Sequence, residues 1–256
     1  MIIINFAYDT HTLKACAATC FTWYNIAIPL LHHTLKFRQW SKDSSRAYLG
    51  PLEALHKLGL LSFVKQVQFE KAMFGVLWVK PILFDSERLH CFHAMNNLQD
   101  LTIGDLDFFN FPVGVGGYFG HFSPTLRSAA LIAPRGTRKQ LLDFFRLFPK
   151  LEDVEISNYH TWGGGHGQLG TLPVPAEGRL RGRLTLRNFS DEGLLKDMIA
   201  EYGGMRFTSM TLYNVQGTQL LLEACAGTLE TVYIQLYRGF RRSKRVLDPQ
   251  DRSVST

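Results

Sequence analysis

The sequence predicts an α/β protein in which a small N-terminal helical segment precedes a curved parallel sheet of repeated strand and helix units. Three observations predict it. One short template, apolar-x-x-apolar-x-apolar, recurs along the body of the chain. A helical signal fills the intervals between its copies, and the opening stretch has the period of a helix rather than the alternation of a strand. The expected organisation is a helical segment over residues 1–40, a repeat body over 41–237 and a basic, then polar, tail over 238–256.

The helical segment is read from "THTLKACAATCFTWYNIAIPLLHHTLKF", residues 10–37. Leu13, Cys16, Cys20, Trp23 and Ala27 fall at +3, +7, +10 and +14, on one face of one helix. That face is expected to be buried.

In the body the template reads Val64, Val67, Phe69; Leu98, Leu101, Ile103; Leu126, Ala129, Leu131; and Leu151, Val154, Ile156. It continues as Leu184, Leu186, with Arg181 in the first apolar place; Phe207, Met210, Leu212; and Leu229, Val232, Ile234. These seven starts are 34, 28, 25, 30, 26 and 22 residues apart, near the roughly 20 to 29 of leucine-rich repeats, with insertions in the longer intervals. Asn158, Asn188 and Asn214 each stand two positions after the last apolar residue of their unit. A shared residue at a shared position argues against chance recurrence.

Each interval offers a helix. "GPLEALHKLG" spaces Leu52, Leu55 and Leu58 between Pro51 and Gly59, and "TRKQLLDFFRLFPK" spaces Leu141, Phe145 and Phe148 before Pro149. "SDEGLLKDMIAEYGG" offers Ser190 as N-cap, then Leu194, Leu195, Met198 and Ile199 on one face. A short strand followed by a helix cannot bury its own apolar face, so such units must stack side by side.

Alternation then assigns the other face of the sheet. Its later positions carry Asp153 and Glu155, then Arg183 and Arg187, then Tyr213 and Tyr233. Arginine and tyrosine are favoured interface anchors, so these six are the expected contacts to a protein substrate. The competing expectation is that the acidic and basic rungs only neutralise each other, worth about 0.2–1 kcal/mol per exposed pair.

Composition excludes several classes. With 46% hydrophobic and 20% charged residues the chain reads as globular, and no apolar run approaches the roughly 18 residues of a membrane span. "MIIINFAYD" lacks the basic start of a secretory signal, and the four cysteines sit in apolar helical contexts. A cytoplasmic or nuclear protein without disulfides is expected. The +6 charge is local: five basic residues lie within 238–245, leaving 23 basic against 22 acidic elsewhere. That run reads as a solvated tail ahead of nuclear import, and nucleic-acid binding is not expected.

Neither metal nor other cofactor is expected. Cys16 and Cys20 have i, i+4 spacing, but Leu13 and Trp23 share their face and His11, His32 and His33 lack a paired spacing. The glycine-rich "HTWGGGHGQLG" has no following Gly-Lys-Ser/Thr, so it reads as an insertion between repeats, and "FPVGVGGYFGHF" as a loop packed by its aromatic residues. No serine or cysteine stands in a nucleophile-elbow pattern, and no catalytic residue is assigned.

Leu13, Cys20 seven residues later and Trp23 three after that resemble the second half of an F-box, with "IIINFAYDTHT" similar to the end of its first helix and the connecting loop. Met1 falls inside that first helix, so the usual leucine-proline opening is not part of the match. Followed by irregular leucine-rich repeats, the chain resembles the F-box/leucine-rich-repeat proteins, particularly divergent fungal ones. The resemblance implies a non-enzymatic substrate-recognition subunit of an SCF-type ubiquitin ligase. Ile3, Phe6, Leu13, Cys20 and Trp23 would then belong to the surface for the Skp adaptor of the cullin ligase, and the repeats would hold a protein substrate. The alternative is a repeat scaffold without any ubiquitin role, its helices capping the first repeat.

Overall fold

A computed structural model describes residues 9–37, 49–69, 89–106, 108, 119–122, 124–161, 180–201 and 205–235. Ile3, Phe6, the basic run 238–245 and most of both glycine-rich segments lie outside them. The fold is mixed α/β. Helices α1 (Thr10–Thr19) and α2 (Phe21–Leu31) open it, and strand β1 (Thr34–Phe37) follows. Then come α3 (Leu49–Lys57), a 3-10 turn (Leu60–Phe63), β2 (Gln66–Phe69), α4 (Leu89–His93), β3 (Asp100–Gly104) and β4 (Ser128–Ile132). After these run β5 (Arg135–Gly136), α5 (Arg138–Arg146), β6 (Asp153–Ser157), β7 (His160–Thr161) and β8 (Arg181–Phe189). Helix α6 (Glu192–Glu201), β9 (Arg206–Val215), α7 (Thr218–Cys225) and β10 (Thr231–Gln235) complete the order.

Eight strands form one sheet in the order β1-β2-β3-β4-β6-β8-β9-β10, every pair parallel, and β5 pairs with β7 in a small separate ribbon. Strand order equals chain order. Parallel neighbours require a crossover, and the intervening helices supply several of them. All seven strands expected from the template are present, and their apolar positions align across the sheet: Val67, Leu101, Ala129, Val154, Leu184, Met210 and Val232 share one row. The core lies between that face and the helices, which contribute Leu52, Cys91, Phe92, Leu141, Phe145, Leu194, Leu195, Met198, Leu221 and Cys225. Among the described strands β10 alone leaves its apolar pair open, Val232 and Ile234 being 41% and 42% exposed.

Four details depart from the sequence reading. The opening stretch is two helices, because Cys20 takes an extended conformation (φ −161°, ψ 168°) that ends α1 and precedes α2. Strand β1 emerges from the end of that stretch and joins the sheet edge. In the fifth unit, where Arg181 replaced the apolar residue, the buried group is its neighbour Leu180, 4% exposed. At the start of α6, Asp191 rather than Ser190 caps, accepting the Leu194 N–H at 3.0 Å.

The shared asparagines have a backbone cause. Asn158, Asn188 and Asn214 sit at φ of 53°, 49° and 51°, left-handed values at which asparagine is tolerated far better than most side chains. Their amides form a ladder: Asn188 Nδ2 donates to Asn158 Oδ1 at 2.8 Å and Asn214 Nδ2 to Asn188 Oδ1 at 3.4 Å. Asp105 (φ 52°) and Ala133 (φ 51°) repeat the same turn after β3 and β4.

Neighbouring helices are tied by polar contacts. Helix α5 begins with a capping box in which the Thr137 hydroxyl accepts the Gln140 N–H at 3.2 Å and Gln140 Oε1 accepts the Thr137 N–H at 2.9 Å. Arg138 reaches from α5 to Asp191 at 2.8 Å. Within α5, Asp143 is 2% exposed and receives Lys139 at 2.6 Å and Arg146 at 2.8 Å, the pairing a buried carboxylate requires.

Candidate functional site

Two surfaces carry the sequence-predicted residues. The first is the open face of the sheet. Because side chains alternate, one face buries the apolar row while the other presents polar rungs. One rung runs Thr34, Gln66, Asp100, Ser128, Asp153, Arg183, Ser209, Thr231, and the next runs Lys36, Gln68, Thr102, Ala130, Glu155, Thr185, Thr211, Tyr233.

Four of the six expected contacts meet in one chain of interactions. Arg187 Nε donates to Glu155 Oε1 at 2.9 Å, and the Ser157 hydroxyl donates to the same oxygen at 3.1 Å. The Arg187 guanidinium lies 4.3 Å from the Tyr213 ring centroid, and the Tyr213 and Tyr233 rings are 5.7 Å apart. Both members of the Glu155–Arg187 pair are more than a third exposed, so the pair adds about 0–1 kcal/mol to stability. The cation over the aromatic face adds about 0.5–1 kcal/mol at such an exposed site. These energies are small, but the contacts hold the arginine and two tyrosine rings in a fixed arrangement.

The remaining two, Asp153 and Arg183, are opposed in register, yet no ion pair joins them among the described residues. They line a depression of about 550 Å³ at the start of β6, β8 and β9, together with Glu152, Arg181, Gly182, Arg206, Thr208 and Ser209. Arg181 approaches Glu152 at 3.7 Å, and among the described residues neither Arg183 nor Arg206 makes an ion pair. The sequence reading missed Arg206 and Glu152 because they stand just outside the alternating core of each strand. Asp100, on the same rung, has its carboxyl held above the usual range by burial, with His33 opposing that shift and Asp153 adding to it.

The second surface is the α1–α2 pair. Leu13 is 1% exposed and packs with Ala27, flanked by Cys16, Ala17, Trp23, Leu30 and Leu31, in a cluster separate from the main core. Leu13 therefore holds the helices together, Trp23 is half-buried beside it, and Cys20 stands exposed at the helix break. The large apolar side chains presented outward are Phe21, Tyr24 and Ile26, with Phe21 78% exposed. Sequence periodicity pointed to the inner face and passed over these three. Phe21 and Tyr24, spaced i and i+3, were the available signal.

Among the described residues no helix is long and apolar enough to cross a membrane. Compared with known protein families, with curated proteins and with solved structures, the chain matches none.

Proposed function

We propose that this protein is a substrate-recognition subunit of an SCF-type ubiquitin ligase, built as an F-box-like helix pair followed by a leucine-rich-repeat solenoid. The α1–α2 pair would dock on the Skp adaptor, and the open sheet face from β6 to β10 would hold a protein substrate. One observation carries the reading: the helix pair has its own apolar cluster and still exposes Phe21, Tyr24 and Ile26, while the sheet separately presents Arg187, Tyr213 and Tyr233. Two partner surfaces on two distinct elements suit a bridging subunit. In this role the protein supplies geometry and no chemistry, and works in the cytoplasm or nucleus.

The test is co-expression with a fungal Skp adaptor, read by size-exclusion chromatography with light scattering. A one-to-one complex is expected, lost in the double variant Phe21→Asp, Tyr24→Asp, whose side chains are exposed and whose fold should survive. No complex from two folded chains would end the adaptor role.

A specific observation also favours a plain scaffold. Strand β1 begins three residues after α2 and pairs with β2, so the helix pair lies next to the first edge of the sheet, where a cap would sit. As a cap, the pair would be needed by the repeats, and Leu13→Asp with Trp23→Asp would unfold the sheet. As an adaptor module, it would leave the sheet folded.

A further inference from the structure

We propose that His56, His90 and Cys91 form a site for a first-row transition metal, with zinc as the reference ion, joining α3 to α4. The ligand atoms of these three residues all lie within 4.8 Å of one another. His90 Nε2 and Cys91 Sγ are 3.4 Å apart. Tetrahedral zinc with Zn–S of about 2.3 Å and Zn–N of about 2.0–2.1 Å requires an N to S separation of about 3.5 Å, so one edge of the tetrahedron is in place. The His56 and His90 rings sit 4.8 Å apart at 76°, and the third donor, within 4.8 Å of the others, must close to about 3.3 Å to share the same centre.

The arrangement comes from the repeat. His56 stands eight residues before Val64 and His90 eight before Leu98, so they hold equivalent places in successive units. Stacking the units stacks the histidines, as it does for His93 and His121, each five residues before the template and 4.5 Å apart at the ring centroids. Cys91 is buried and His90 is exposed, which gives a shielded sulfur and an open approach.

The donor set selects the ion. Two imidazoles and a thiolate suit Zn²⁺, Co²⁺ or Cu⁺ and exclude Mg²⁺ and Ca²⁺, which take oxygen ligands. Three protein ligands leave a fourth position for water. The Cys91 S–H bond breaks, the sulfur pair forms the bond to the metal, and that proton passes to buffer together with any proton the two imidazoles carry, since both histidines bind as neutral rings. Bound metal would clamp the two units together.

The experiment uses the full chain, freed of metal by chelator and titrated with Zn²⁺ by calorimetry in two buffers of different protonation enthalpy. Co²⁺ serves as the optical probe. One equivalent should bind with release of at least one proton, and cobalt should show a thiolate charge-transfer band and tetrahedral d–d bands. Cys91→Ser should abolish the thiolate band. Because Cys91 is buried, it is paired with His90→Gln at an exposed position, which should weaken binding by at least about tenfold. Cys20→Ser, at an exposed cysteine outside the cluster, should leave metal affinity and the thiolate band unchanged. Absence of the thiolate band, or affinity unchanged in His90→Gln, would overturn the assignment.

Discussion

Ala133→Asn should stabilise the protein. Ala133 holds φ 51°, a conformation that costs an ordinary side chain roughly 1–2 kcal/mol and asparagine less. Its neighbours in the turn column are Asp105 and Asn158, and the asparagine ladder that runs from Asn214 through Asn188 to Asn158 stops at this alanine. An asparagine here can accept from Asn158 Nδ2 and donate to the Asp105 carboxylate, adding two partly exposed hydrogen bonds at about 0.5–1.5 kcal/mol each. Relief of the backbone and the two bonds together give about 2 kcal/mol, or roughly 4–8 °C in Tm at this chain length. Urea denaturation and differential scanning calorimetry measure both. Ala133→Gly separates the contributions, since it relieves the backbone without extending the ladder. A gain in Ala133→Asn no larger than in Ala133→Gly would refute the ladder, and a loss in both would refute the backbone argument.

Gly182→Ala should be severe: φ is +87° and an added Cβ would lie 2.3 Å from the Glu152 carbonyl oxygen, a backbone atom that also accepts the Arg183 N–H. A loss of about 3 kcal/mol is expected in urea, and a change under 1 kcal/mol would show that the backbone at Gly182, where the β8–β9 register shifts, adapts. Asp143→Ala should cost about 3 kcal/mol, because it removes the buried acceptor of Lys139 and Arg146; a surface-like loss below 1 kcal/mol would contradict the burial. Asp100→Asn should raise Tm at pH 7. Burial lifts the folded-state carboxyl above its unfolded value, so the ionised form costs stability at neutral pH. That cost fades as pH falls through the folded value and is gone below the unfolded one, so the variant's advantage should shrink in acid; an advantage independent of pH would refute it.

How much was legible follows from which residues a strand can disguise. The seven strands were readable because their inward positions are apolar, from Val67 to Ile234. Strand β1 escaped because His32 holds the template's first place before Leu35 and Phe37, and Leu30 and Leu31 continue a helical pattern into it. Burial holds the His32 imidazole below its usual range. The left-handed turn leaves a signature at the three asparagines and a weaker one at Asp105, whereas the Ala133 side chain carries none. Alternation puts Glu155, Arg187, Tyr213 and Tyr233 on the open face, but it could not say that the Arg187 guanidinium lies 4.3 Å from the Tyr213 ring while no ion pair joins Arg183 to Asp153 among the described residues.

What connects the asparagine ladder, the paired histidines and the polar rungs is one rule of register. In a sheet whose strands follow chain order, equivalent strand positions of successive units lie about 4.8 Å apart, and the helices between them pack side by side in the same order, about 8–10 Å between axes. A residue type repeated at one template position therefore becomes a column. Asn158, Asn188 and Asn214 make a hydrogen-bonded column at the turns, and His56 with His90 makes a two-ring column beside Cys91. Such columns join residues at a fixed offset from each template copy. The offset of −8 pairs His56 with His90, 34 residues apart, a separation no conventional ligand spacing would flag. Side-chain contacts in this chain thus run across units as well as along them, and His56 meets His90 only through that stacking.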